Sequence, residues 1–197
     1  MVITQYTAPT TAPLTFWELK QHLKIDQDQA DEENLLIQVL SAATARVEQL
    51  TRRQLEQATW DYSLQSWPDV DYIKLPFGNL QSVGSVKWKN TTGTEATLTA
   101  NTDYLVEING DQCGRIVLPY NTLWPSGTLY PSNPITIRFT CGYTTVPATA
   151  GKVVPSNLKA AILLVAERLW HRGEEDEKYQ KIIDYFICGY KLYDEFI

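Results

Sequence analysis

The chain has little of what most chemistry requires. Its 197 residues include only two histidines, His22 and His171, and three cysteines, Cys113, Cys141 and Cys188. Neither histidine stands in a His-Glu-x-x-His pattern or near a cysteine at metal-ligand spacing, so both read as surface or helix-end residues. Three widely separated cysteines exclude a disulfide framework and a zinc site, and they fit a reduced, cytosolic setting. Gly78, Gly84 and Gly93 are too scattered to cradle a phosphate, and no Gly-x-Ser-x-Gly elbow occurs. The acidic groups Asp26, Asp28, Asp31, Glu32, Glu33 and Glu174, Glu175, Asp176, Glu177 lack the glycine and the closing glutamate that a calcium loop needs. They suit helix starts and solvated faces instead. The longest apolar run, 160–166, cannot cross a bilayer, and the N-terminus lacks the basic-then-apolar order of a signal peptide. No catalytic residue, metal or cofactor is expected, and the chain reads as a non-enzyme.

The formal net charge of -6 argues against a protein that coats nucleic acid, because phosphates call for a basic face. A negative surface does let DNA pass without sticking. Hydrophobic residues make up 44% of the chain and charged residues 20%, the balance of a soluble domain long enough to bury a core. Six tryptophans and eleven tyrosines are many for this length. Such residues either fill a β-rich core or anchor protein interfaces.

Along the chain, residues 1–14 are rich in Thr, Pro and Ala and read as an extended arm, loose or laid on a neighbouring subunit. Thr15 and Glu18 form a capping box opening a short helix to Leu23. A longer helix follows, with Leu36, Leu40, Ala43, Val47 and Leu50 spaced by three and four along one buried stripe. Ala42 and Ala45 leave room for another helix, and Arg52 and Arg53 suit the last turn. From 58 to 154 the period changes to that of strands: Trp60, Tyr62 and Leu64; Tyr72, Lys74 and Leu75; Val83, Val86 and Trp88; then 104–108, 115–118 and 135–140. Asn90-Thr91-Thr92-Gly93 reads as a hairpin turn, and 119–134 as a long ordered loop. Residues 144–154 read as a linker. A third helix opens at Pro155-Ser156, with Leu158, Ala161, Ile162, Val165 and Leu169 on its apolar face, and stops at Gly173. A fourth helix closes the chain. The expected fold is α+β: a small bundle of the terminal helices carrying an inserted antiparallel β subdomain.

The closing segment concentrates Tyr185, Phe186, Ile187, Tyr190, Leu192, Tyr193 and Phe196. Two readings stay open for it: docking as a helix into a partner's groove, or packing on the chain's own second helix. A different function class is also open, a monomeric ligand- or glycan-binding module using Trp67, Trp88, Trp124 and nearby tyrosines of the β insert.

Several short motifs recur in a fixed order. A short helix leads through an acidic turn to a long Ala-rich helix holding Val47-Glu48 and ending on Thr51, Arg53 and Leu55. Leu75-Pro76, Val83, Val86, Trp124-Pro125 and Cys141-Gly142-Tyr143 follow, then Val154-Pro155, Lys159, Ala161, Ile162 and Trp170-His171-Arg172-Gly173-Glu174. In this order the chain resembles the head–tail connector (adaptor) proteins of tailed phages, also found in gene transfer agents. The segment after Gly173 departs from the family's pattern.

The resemblance implies a helical connector core (15–57 and 155–173), a β insert (58–154) and a portal-docking tail (174–197) behind the arm (1–14). It implies a homo-oligomeric ring, twelve-fold, made in the host cytoplasm and placed in the virion neck below the portal vertex. Such a ring extends the DNA channel, passes DNA without sequence-specific binding, touches no membrane and links the capsid to a stopper or tail-completion protein. It assigns helices 31–50 and 155–172 to ring formation, with Leu36, Leu40, Ala43, Val47, Trp170 and Arg172 at the interface. It assigns Tyr185, Phe186, Ile187, Tyr190, Leu192, Tyr193 and Phe196 to portal docking, and Trp124, Pro125 and Tyr130 to a loop facing the stopper or tail. Truncation after Gly173 is expected to leave a folded subunit that no longer attaches to the portal.

Overall fold

The computed structural model describes residues 1–26, 32–144, 153–171 and 177–192. Asp28, Asp31, Arg172, Gly173, Glu174, Glu175, Asp176, Tyr193, Phe196 and most of the expected linker lie outside the described residues. The chain forms two compact units, Met1–Thr10 with Gln57–Gly142, and Thr11–Glu56 with Tyr143–Ile197.

The first unit is all β. Its strands are β1 (Val2–Thr7), β2 (Ala58–Leu64), β3 (Tyr72–Lys74), β4 (Leu80–Lys89), β5 (Glu95–Leu98), β6 (Leu105–Glu107), β7 (Arg115–Val117) and β8 (Ile135–Cys141). They build a five-stranded sheet, β1-β2-β8-β4-β5, and a three-stranded sheet, β3-β7-β6. Every pair is antiparallel. The middle strand β8 shows why. In Ile-Thr-Ile-Arg-Phe-Thr-Cys every second residue is apolar, and Ile135, Ile137, Phe139 and Cys141 are all buried. That two-residue period puts one face of the sheet into the core and the other outward. Tyr62, Val86, Ile73 and Ile116 share the same core. On the outer face Arg138 donates twice to its cross-strand neighbour Asp61, at 2.8 Å each. The charge-assisted pair holds the guanidinium above its usual range of protonation.

The expected arm at residues 1–14 is not free. Val2–Thr7 is β1, paired with β2. Val, Ile, Thr and Tyr favour extended backbone on a half-exposed sheet, and that preference outweighs the looseness expected of a chain end. Two turns close the sheet elsewhere. The Asn90 side-chain oxygen accepts from the backbone of Thr92 and Thr94 at 3.1 and 2.9 Å, which shapes the β4–β5 hairpin with Gly93 at φ 80°. Buried Asn79 donates its side-chain amide to the Gly142 carbonyl at 2.8 Å, tying the turn before β4 to the end of β8.

The second unit is helical: α1 (Phe16–Leu23), α2 (Glu33–Thr51), α3 (Ser156–Trp170) and α4 (Glu177–Ile187), then a short 3₁₀ turn at Cys188–Tyr190. Thr15 and Glu18 form the capping box in both directions, at 3.2 and 2.7 Å. One core joins Leu14, Leu19, Leu36, Leu40, Ala43, Val47, Leu158, Ala161, Ile162, Val165, Ile183 and Ile187. Full burial of each Leu, Ile or Val contributes ~1.5–3 kcal/mol.

The end of α2 is a polar lock. The Glu48 carboxylate accepts from the Leu55 backbone and the Gln54 side chain at 2.7 and 2.8 Å. The Leu192 backbone N–H donates to the Thr51 carbonyl at 2.9 Å, and the Arg53 guanidinium donates to the Tyr190 carbonyl. Burial pushes Glu48 up, and burial together with the Glu48 charge pushes Glu56 up to about 7.

Two predictions follow from this packing. A β-carbon on Gly114 would lie 2.6 Å from Leu80 Cβ, whereas one on Gly189 meets nothing within 4 Å. Gly114→Ala is therefore expected to cost ~1–3 kcal/mol by overpacking, and Gly189→Ala less than ~0.5 kcal/mol, read by urea unfolding. Glu56 keeps its proton in the folded chain up to about pH 7, while the unfolded chain releases it near 4.5. Its contribution is full below pH 4.5 and is lost as pH rises through that window. Unfolding midpoints across that range should therefore fall more steeply for the wild type than for Glu56→Gln.

Candidate functional site

The residues assigned to ring formation do not form a surface. Leu36, Ala43 and Val47 are wholly inaccessible and Leu40 nearly so, all spent in the core of the helical unit. Trp170 packs against the same core, and Arg172 lies outside the described residues. The physical reason is simple. A stripe spaced by three and four predicts burial, and α3 and α1 of the same chain supply the cover.

The opposite face of α2 is free within the chain. Leu35, Gln38, Ala42, Ala45 and Gln49 recur at the same spacing, are exposed, and include no charged residue. Ile37 beside them is 52% exposed. This stripe was half legible in the sequence through Ala42 and Ala45. What hid Leu35 and Ile37 is that apolar residues on a helix are read as core by default.

The closing segment splits in two. Ile183 and Ile187 are buried, and Tyr179, Phe186 and Tyr190 pack on the same core. Leu192 is half-buried and its backbone is held by Thr51. Intrachain packing therefore claims four of the seven residues assigned to docking: Phe186, Ile187, Tyr190 and Leu192. Tyr185, 78% exposed, and Ile182 face outward on the other side of α4. Tyr193 and Phe196 lie outside the described residues. Truncation after Gly173 would remove Ile183 and Ile187 from the core, so it breaks the helical unit and cannot serve as a clean docking test.

In the β unit, Trp124 stacks flat on Trp67, with ring centroids 4.9 Å apart and planes 4° from parallel. Its indole N–H donates to the Val70 carbonyl at 2.9 Å. Trp88 lies opposite the buried Ile135 in the register and packs on the core. The three tryptophans therefore do not present a common open platform, and nothing in the geometry favours the glycan-binding reading. Pro125 is half-buried and Tyr130 is exposed.

The same loop shows what the sequence reading missed. Tyr120 and Leu123 are 93% and 87% exposed. They flank a tight turn in which Thr122 donates its N–H and its hydroxyl to the Pro119 carbonyl, at 3.2 and 2.5 Å. No charged residue occurs from 119 to 134. An uncharged loop holding two large apolar side chains in water is an expensive surface for a free monomer. The absence of charge across 119–134 was the available signal.

Among the described residues, no group of three or more His, Cys, Asp or Glu could hold a metal ion. Among the same residues, no helix is long and apolar enough to cross a membrane. What the arrangement offers is contact surface.

No protein-family model matches the chain. No curated protein matches it either. Solved structures do. A chain from the neck of an empty GTA particle, computed with C6 symmetry, superposes with a TM-score of 0.76 at 21% identity, covering 94% of this chain and 95% of that one. A chain from the virion of a native gene transfer agent (GTA) particle gives 0.73 at 21% identity, covering 94% and 95%. A chain from the neck of a native GTA particle, computed with C12 symmetry, gives 0.77 at 21% identity, covering 98% and 96%.

The separation of buried and exposed stripes is checked by substitution. Leu36→Ala is expected to cost ~2–5 kcal/mol of subunit stability. Leu35→Ser and Tyr185→Ser should each stay within ~0.5 kcal/mol by chemical unfolding. In both units, nearly end to end, the chain has the fold of those gene transfer agent neck chains.

Proposed function

We propose that this protein is a structural head–tail connector of a phage-like particle, placed in the virion neck. The observation that carries this reading is the full-length likeness in fold to neck chains of gene transfer agent particles. The C12 symmetry of one of those necks supports a twelve-fold ring. The work of such a protein is association, with no reaction and no cofactor. Its partners are further copies of itself, the portal protein above and a stopper or tail-completion protein below. The net charge of -6 keeps a lumen surface from trapping the DNA that passes through.

Three surfaces divide this work. The uncharged outer stripe of α2, centred on Ala42 and Ala45, serves contact between copies, since small side chains let two helices approach closely. Tyr185 and Ile182 on the outer side of α4 serve docking on the portal. The loop 119–134, with Tyr120 and Leu123 beside Trp124, Pro125 and Tyr130, serves the next neck component. Large aromatics in rigid, uncharged surroundings are the usual anchors of such contacts.

The docking face is tested in the full chain. A variant carrying Ile182→Ser and Tyr185→Ser should stay folded and join portal-bearing, tail-less particles at least ~10-fold more weakly, the loss of a contact worth ~1.4 kcal/mol. Sedimentation of the variant with such particles reads this. Joining at wild-type strength would contradict the assignment.

A further inference from the structure

The first strand is attached to its sheet unlike any other. All six residues of β1 are exposed, so none of its side chains enters the core. It lies at the outer edge of the sheet and pairs with β2 alone. It carries no charged side chain. Open sheet edges are normally blunted by charge, and the opposite edge obeys this, with Glu95 of β5 paired to Lys87 at 2.7 Å. Beyond the backbone ladder, β1 is fixed by the Arg138 guanidinium 3.3 Å over the Tyr6 ring, and by Tyr62, whose hydroxyl donates to the sulfur of Met1.

The connection of this strand is also unusual. Met1–Thr10 belongs to the sheet unit, but the rest of that unit resumes only at Gln57. Between β1 and Leu14, which is buried in the helical core, run Ala8, Pro9, Thr10, Thr11, Ala12 and Pro13. Pro9 and Pro13 each fix one backbone angle of this tether, which bends at Thr10 and Thr11 and can span at most roughly 20 Å.

We propose that β1 is exchanged between copies in the assembled protein. The first strand of one copy lies on β2 of the next, in the register it shows within a single chain. Exchange keeps the β1–β2 hydrogen bonds and the contacts of Tyr6 and Met1 unchanged, so it costs little beyond bringing the copies together. A strand with no side chain in the core leaves no cavity when it departs. The donated strand and the accepting edge are different surfaces, so a strand passed always to the next copy, and not returned by it, makes a head-to-tail link, the kind that closes into a ring. The inference rests on the ring reading above and adds a specific strap that joins neighbours.

Cross-linking decides it. Val2 lies opposite Ser63, and Thr7 opposite Thr59, at Cα separations that suit a disulfide. The full chain with Cys113→Ser and Cys188→Ser receives either Val2→Cys with Ser63→Cys or Thr7→Cys with Thr59→Cys. After oxidation, sizing separates the assembled fraction and a non-reducing gel shows which chains are joined. Exchange predicts covalent multimers that return to single chains on reduction. Cross-linked single chains in the assembled fraction, or no cross-link at either pair, overturn it. A closed ring with only intrachain links removes the exchange and leaves the ring. Interchain links in an open or two-fold assembly keep the exchange and remove the ring. A chain that stays monomeric at every concentration, with intrachain links, removes both.

Discussion

The burial of the α2 stripe inside its own subunit governs how the rest of the molecule can be used. Leu36, Leu40, Ala43 and Val47 meet Leu158, Ile162, Val165, Ile183 and Ile187 in one core. Large apolar side chains buried together supply most of the stability of such a unit. Once that stripe is covered, the uncharged side chains left outside include Leu35, Ile37, Ala42 and Ala45 on α2, and Ile182 and Tyr185 on α4. The lock formed by Thr51, Arg53, Tyr190 and Leu192 extends the same logic to the chain end, since it ties the segment after α4 to the end of α2.

The sheet unit reaches the same result by a different period. The alternation of β8 fills the core, while Arg138, Asp61 and Tyr6 occupy the outer face as a paired charge under a ring. The tryptophans are largely consumed in packing, Trp67 on Trp124 and Trp88 on the core. Among the large apolar side chains that stay exposed are those of the edge strand β1 and, most fully, Tyr120 and Leu123 at the loop tip. Two self-contained units with small, uncharged exposed features are what a building block of an assembly needs.

Much of the fold was legible in the sequence because regular period is a strong signal. The capping box at Thr15 and Glu18, the stripe of α2, the face of α3 from Leu158 to Val165 and the alternation of β8 all appear where their spacing places them, while Leu169, placed on the same α3 face by its spacing, is 46% exposed. Function-bearing surface was less legible, for a physical reason. Periodicity reports burial, so it assigns apolar residues to contact without saying whose contact. The spacing of Leu36 and Val47 marks them as buried, and only the resemblance assigns them to an interface, because a helix pair looks alike within a chain and between chains. Tyr120 and Leu123 were missed because a loop has no period, and only the absence of charge from 119 to 134 marked them. The pairing of β1 is masked in the sequence because the Thr, Pro and Ala of residues 7–13 have the composition of an arm, although Val-Ile-Thr-Gln-Tyr-Thr at 2–7 favours a strand.

The central claim is that this chain does its work as a closed ring of identical copies in the neck of a particle. Electron-microscopic reconstruction of that neck, with no symmetry imposed and this chain carrying a visible tag, tests it most directly. The account predicts twelve tags in one ring between the portal and the tail. A chain absent from finished particles, or present as scattered single copies elsewhere on the shell, would contradict it.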